Sequence, residues 1–268
     1  MIYYLPFSYF WKSRAKTIFH RFSFFILILI PIFIFWSMMN SNIESSNIAL
    51  IGFIGMFSVY EIGYLYNDFY TTKFEEHPSY WLVKKDRDFV DKNFEMIIAA
   101  RVFVTTLCIL CLKCIFNVNV LYYSLALVLL YIVYSFHNTI RNRWNILTDF
   151  CLQVLKYCSV LLLFGNIYVA LKYSVAMIFA VPLIRSMEFT NKKRLNINIF
   201  NRIDVNLLRV LYHMTVFIIS ILLSQVLIEC KTLALASLVL LIFRIFSFIL
   251  LKNKKAETIR MKNFEGVE

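Results

Sequence analysis

YEIGYLYNDFYTTKFEEHP, residues 60–78, begins as a membrane span and ends in charge. Tyr60, Ile62, Tyr64, Leu65 and Tyr66 suit a bilayer. Glu61 and Asp68 do not, and Lys73, Glu75, Glu76 and His77 follow them. Ionisable groups inside spans are costly, so they collect where they can pair, face a cavity or work. The stretch marks a place where an apolar helix leaves the oil and meets polar chemistry.

The surrounding chain fits that reading. It has 268 residues, 60% hydrophobic and only 16% charged, with 5 Gly and 4 Pro. A soluble domain is nearer half apolar and about a quarter charged. A window of about 19 residues finds candidate spans at 22–39, 47–67, 96–116, 120–137, 149–165, 168–187, 205–228 and 232–251. Each is near the roughly 17–25 residues that a bilayer needs. They are solid apolar blocks, unlike the alternating strands of a membrane barrel, and lipid leaves backbone groups no partner outside their own helix. The expectation is an all-α, polytopic transmembrane bundle of about eight spans, forming a single integral membrane domain over residues 1–268. The run at Met1–Leu5 is too short for the apolar core of a cleavable signal.

Charge sets the expected orientation. Most of the 28 Lys and Arg fall at the N-terminal segment (1–21), at 68–95, 137–148 and 185–204, and in the tail (252–268). Lys113 and Lys231 are the cations of the opposite side, while Arg101, Lys156, Lys172, Arg209 and Arg244 fall within or at the edge of spans. The positive-inside rule then puts both termini in the cytoplasm. The net charge of +12 reads as topology and attraction to anionic headgroups. Nucleic-acid binding is a poor reading, because no basic soluble domain exists to carry it. Cys108, Cys111 and Cys114 lie on an apolar helix and read as small packing residues. The four histidines show no metal spacing.

The three long polar excursions follow spans two, four and six, all on the cation-rich side. This layout suggests two four-helix halves, each with an acid at the exit of its second helix: Asp68 and Glu188. Glu61, Asp68 and Glu75 are spaced by seven and share a helical face if the helix continues. Carboxylates at a membrane mouth suit Mg²⁺, which takes one or two of them and completes its shell with water and phosphate oxygens. Alternatively Asp68 caps a helix end while Glu75 is solvated, and Glu61 pairs with Arg101. Arg185 and Glu188 are i,i+3 neighbours that either hold a metal and a phosphate or simply pair. Arg141 and Arg143 suit phosphate contact or plain positive-inside anchoring. Tyr134 sits at headgroup level.

At these positions the chain resembles the UbiA-type superfamily of intramembrane prenyltransferases. That family carries N-D-x-x-D-x-x-x-D after its second span, and this chain has Asn67-Asp68-x-x-Thr71-x-x-x-Glu75. The middle Asp is Thr71. A Y-S pair at the end of the fourth span matches Tyr134-Ser135, and Ile184-Arg185-Ser186-Met187-Glu188-Phe189 is similar to the K-R-x-x-E-L of the decaprenyl-phosphate phosphoribosyltransferase-like branch. In that branch the Y-S pair is followed by a Lys and an L-D pair. Thr139 stands at the Lys position here, and Asp149 comes about one turn late. The family usually has nine spans.

The resemblance implies an Mg²⁺-dependent transferase that uses a diphosphate leaving group and a polyprenyl lipid. In the nearest branch, a phosphoribosyl group passes from phosphoribosyl diphosphate to polyprenyl phosphate, at the cytoplasmic face of a bacterial cytoplasmic membrane, for envelope polysaccharide. The implied metal ligands are Asp68, Glu75 and Glu188. Arg143, Arg185 and Tyr134 would bind substrate, Asn67 would position it, and Glu61 and Asp68 would face the reacting centre. The alternatives are a prenyltransferase with a small or aromatic acceptor, and a non-catalytic membrane protein such as a degenerate subunit or a lipid or solute carrier.

Overall fold

A computed structural model describes residues 2–40, 43–74, 81–140, 142–190 and 204–252. Among the described residues every regular element is helical. Eight helices are long and apolar enough to cross a membrane: Ile18–Met39, Ser45–Lys73, Phe94–Cys114, Leu121–Thr139, Asn145–Leu163, Ile167–Thr190, Val205–Leu223 and Ile228–Leu250. We number them spans one to eight. The protein is a multi-pass membrane protein by this measure. The fifth span begins earlier than the apolar run alone suggests, because Asn145 and Asp149 are taken into the helix as buried residues.

The third span shows how membrane solvent inverts the usual pattern. It buries Ile97, Arg101, Thr105, Cys108 and Leu112, a stripe at helical spacing, and exposes Val102, Phe103, Leu107 and Leu110. Arg101 and Thr105 are turned inward among apolar neighbours, and the outward face is mostly apolar, as lipid requires. One cluster of buried residues runs through spans one to six and eight, with Phe35 and Trp36, Phe57, Leu112, Tyr123, Tyr157, Met177 and Leu240 among its members. The core is therefore continuous through both halves of the sequence.

Two helices are interrupted where they approach the cation-rich side. In span one a π turn covers Phe25–Leu29, just before Pro31, which has no N–H to give the Leu27 carbonyl. The Tyr157 hydroxyl of span five donates to that carbonyl at 2.8 Å. In span six the helix stops at Val181 and restarts at Pro182, running as Pro182–Thr190. Proline suits that first helical position, where its missing N–H is no loss. The restart carries Arg185 and Glu188.

Gly63 in span two lets span four come close. A Cβ placed there would meet the Tyr134 ring at 2.3 Å, and the Gly63 carbonyl accepts from Asn138 Nδ2 at 3.1 Å. The glycine is thus a requirement of Tyr134 packing directly on the backbone between Glu61 and Asp68.

Candidate functional site: a cationic cavity beside the acid-bearing helix

The N-terminal segment decides what the acids of span two do. Its short helix, Ser8–Ser13, has Phe7 at its start with no side-chain cap and with φ 67, in the left-handed region. That conformation is uncommon for a bulky residue. Here Phe7 stacks on Phe57, ring centroids 4.5 Å apart. Its N–H donates to Glu61 Oε2 at 2.8 Å, and the Phe10 N–H donates to Oε1 at 2.9 Å. Glu61 supplies from another helix the anionic cap that this N-terminus lacks. Arg101 Nε lies 2.9 Å from Glu61 Oε2, with both side chains fully buried. The same guanidinium donates to the Tyr4 and Tyr3 carbonyls at 2.7 and 3.0 Å. Glu61 and Arg101 thus pin the N-terminal segment across spans two and three. Both Glu61 oxygens are thereby engaged.

Seven residues on, Asp68 is also engaged. Arg14 Nη2 reaches Oδ1 and Oδ2 at 2.6 and 2.7 Å, the Tyr9 hydroxyl donates to Oδ2 at 2.5 Å, and Asn67 Nδ2 donates to Oδ1 at 3.0 Å. Burial, with the Asp68 charge beside it, pushes the Tyr9 phenol above its ordinary value and keeps it a donor. Thr71 turns its hydroxyl back to the Asn67 carbonyl at 2.7 Å and to Asn67 Oδ1 at 3.1 Å. Asn67 and Thr71 therefore orient Asp68. Glu75 lies outside the described residues, as do Glu76 and Arg141.

Glu188 makes a third ion cluster. Arg209 Nε and Nη2 hold its two oxygens at 2.6 and 2.8 Å, and Arg185 Nη1 is 3.3 Å from Oε2. Tyr134 is buried, edge-on to Tyr60 with centroids 5.1 Å apart. Arg143 is exposed in the turn before span five.

Between these clusters is a cavity of about 290 Å³, lined by Arg14, Lys156 and Arg185 and walled by Phe10, Phe24, Leu27, Ile28, Tyr60 and Tyr64. It lies among the N-terminal segment and spans one, two, five and six. Its size is at the small end of ligand cavities. Lys156 is buried, donates to Gln153 Oε1 at 2.7 Å, and sits over the Tyr60 and Tyr157 rings at 5.0 and 4.9 Å. Among the described residues it forms no direct ion pair. Arg14 lies over the Trp81 ring at 4.1 Å while it holds Asp68. Of the expected site residues, the cavity brings in Arg185 directly and Asp68 through Arg14; Tyr134 is one ring away and Arg143 is outside. Sequence reasoning missed Arg14 and Lys156 as site residues. A lysine in the middle of an apolar helix is itself the signal that could have found Lys156.

Whether these residues suit Mg²⁺ can be judged from their bonds. Each Asp68 oxygen already accepts two hydrogen bonds, and guanidinium groups occupy both Glu188 oxygens. Among the described residues no three of His, Cys, Asp and Glu gather as a metal group would require. As arranged, the described donors, Asp68 and Glu188, do not fit the ion.

Comparison with known proteins returned no matching family model, no matching curated protein and no matching solved structure.

Proposed function

We propose that this chain is an intramembrane transferase of the UbiA-like kind, which takes a polyprenyl lipid and a diphosphate leaving group at the cation-lined cavity. The observation that carries the reading is the cavity's composition: Arg14, Lys156 and Arg185 line the same space as Phe10, Phe24, Leu27 and Ile28. A buried cation is expensive without a counter-charge. An amphiphile with a phosphate head and an isoprenoid tail supplies the charge and the oil together. The acid exits of spans two and six, Asp68 and Glu188, border the same region through Arg14 and Arg185.

In the phosphoribosyl form of the reaction, an oxygen of the acceptor phosphate forms a bond to C1 of the ribosyl group. The bond from C1 to the diphosphate breaks, and its electron pair leaves with the diphosphate. Lys156 and Arg185 would face the charge growing on that leaving group, where fixed cations in a poorly solvated site act most strongly. Tyr60 and Tyr64 would bound the reacting region, and the face carrying the N-terminal segment would be cytoplasmic in a bacterial inner membrane. In the prenyl form, the diphosphate belongs to the lipid and the acceptor is a small or aromatic molecule.

A carrier or degenerate subunit is the second reading, and the break at Val181–Pro182 favours it, because interrupted helices line many transport sites. Purified protein in vesicles should be given labelled phosphoribosyl diphosphate with polyprenyl phosphate and, separately, labelled prenyl diphosphate with aromatic acceptors. Labelled lipid from the first mixture, with diphosphate released in equal amount, is the expected result. Ligand uptake with no diphosphate released from either mixture would favour the carrier.

A further inference from the structure

The charges around the cavity do not balance. Among the described residues, Arg14, Lys156, Arg185, Arg209 and Arg244 face the carboxylates of Asp68, Asp149 and Glu188. Arg14 and Asp68 satisfy one another, and Glu188 is shared by Arg185 and Arg209. Asp149 reaches Lys156 through Gln153, whose Nε2 is 3.5 Å from Asp149 Oδ1. Two positive charges remain over, in a part of the molecule where Lys156 is 6% exposed and Arg244 is 7% exposed. Arg244 adds a buried Nε that finds no hydrogen-bond partner.

This arrangement reverses the logic of a metal-bridged phosphate site. There, a surplus of carboxylates recruits a cation, and the cation recruits the phosphate. Here Asp68 and Glu188 are already held by guanidinium groups, and the surplus is cationic. An ammonium and a guanidinium can hold phosphate oxygens directly, the guanidinium through two parallel N–H donors.

We propose that the cavity takes the phosphate groups of its ligand by direct contact with Lys156 and Arg185, with no bridging divalent ion, while Arg14 keeps Asp68 occupied. This deepens the transferase reading and rests on its assignment of the cavity. Asp68 then acts as a positioning residue: it aims Arg14 and is not itself a ligand. The shared chemistry is a diphosphate, carried either by a lipid or by a soluble sugar donor.

The test is binding to the purified full chain in detergent, measured by calorimetry with farnesyl diphosphate, phosphoribosyl diphosphate and inorganic diphosphate as separate probes. Each is titrated in excess EDTA and again in Mg²⁺. At least one probe should bind in EDTA with an affinity within about threefold of that in Mg²⁺. The probe that does so identifies the lipid or the soluble donor as the source of the phosphate. Lys156→Met should weaken that binding by about tenfold or more, the loss expected for one charged hydrogen bond, and Lys156→Arg should restore most of it. Asp68→Asn, whatever it does to affinity through Arg14, should leave the ratio of the affinities in EDTA and in Mg²⁺ within about threefold of the parent's. Thermal unfolding of each variant identifies any that has failed to fold, and Arg185→Met serves as the second cavity variant in that case. Binding that appears only with Mg²⁺, or an Mg²⁺ enhancement in the parent that a folded Asp68→Asn abolishes, would overturn direct contact and leave the transferase reading standing. Binding of none of the probes under either condition would overturn both.

Discussion

Glu61 and Asp68 lie on one helix, two turns apart, and each is held by an arginine from another part of the chain. The two regions nevertheless differ in kind. Around Glu61 the charge balances: one carboxylate faces one guanidinium, and backbone N–H and C=O groups of the N-terminal segment bond to both. Around Asp68 it does not balance, because Arg14, Lys156, Arg185, Arg209 and Arg244 outnumber Asp68, Asp149 and Glu188 among the described residues. Within a membrane, an acid on a helix is therefore a weak guide to a site. The residual charge of its neighbourhood is a better one.

That contrast is broken most forcefully at Arg101. Replacing it by Leu strands the Glu61 carboxylate in a dry interior, at a cost of about 3–5 kcal/mol. Arg101→Leu should show a large fall in unfolding temperature in detergent, while the fraction that still folds binds the parent's diphosphate probe like the parent. Unchanged unfolding together with lost binding would mean that the Glu61 region is the site and the comparison is inverted. Lys156→Met should do the opposite, losing binding with little loss of stability, since it removes an expensive buried charge.

Gly63 sharpens the comparison from between the two acids. Gly63→Ala drives a methyl group into the Tyr134 ring, and overpacking of this kind costs about 1–3 kcal/mol. The expected result is a moderate fall in unfolding temperature, with the ligand affinity of the cavity kept. The smallest effect belongs to Lys73 and Asp91, an ion pair at 3.7 Å whose side chains are more than half exposed. Lys73→Ala should change stability by less than about 1 kcal/mol and leave binding alone. A larger effect on binding would show that the site extends beyond the cavity.

The sequence made the eight spans legible because lipid demands long apolar runs, and no tertiary detail is needed to see them. It also exposed the pairing of Glu61 with Arg101 as one of two open readings. The interrupted helices were harder to see. Pro31 and Pro182 mark them, yet a proline only permits a break, and what completes the π turn at Leu27 is a hydroxyl from span five. The role of Arg14 was hidden for a similar reason. In the sequence it is one more cation of the positive-inside side, and only the fold of residues 2–14 back onto span two brings it to Asp68. Thr71 reads as a missing ligand until its hydroxyl is seen bonding Asn67, when it becomes part of the support for Asp68. Arg143 has the right chemistry for phosphate but is exposed and does not line the cavity.

The most direct measurement of the central claim is an experimental structure of the full chain, prepared in EDTA, with whichever of farnesyl diphosphate and phosphoribosyl diphosphate binds there. The account predicts phosphate oxygens within hydrogen-bond distance of Lys156 Nζ and the Arg185 guanidinium, with Arg14 still on Asp68. A headgroup bound elsewhere, or Asp68 turned away from Arg14 and onto the ligand's phosphate through a retained metal ion, would contradict it.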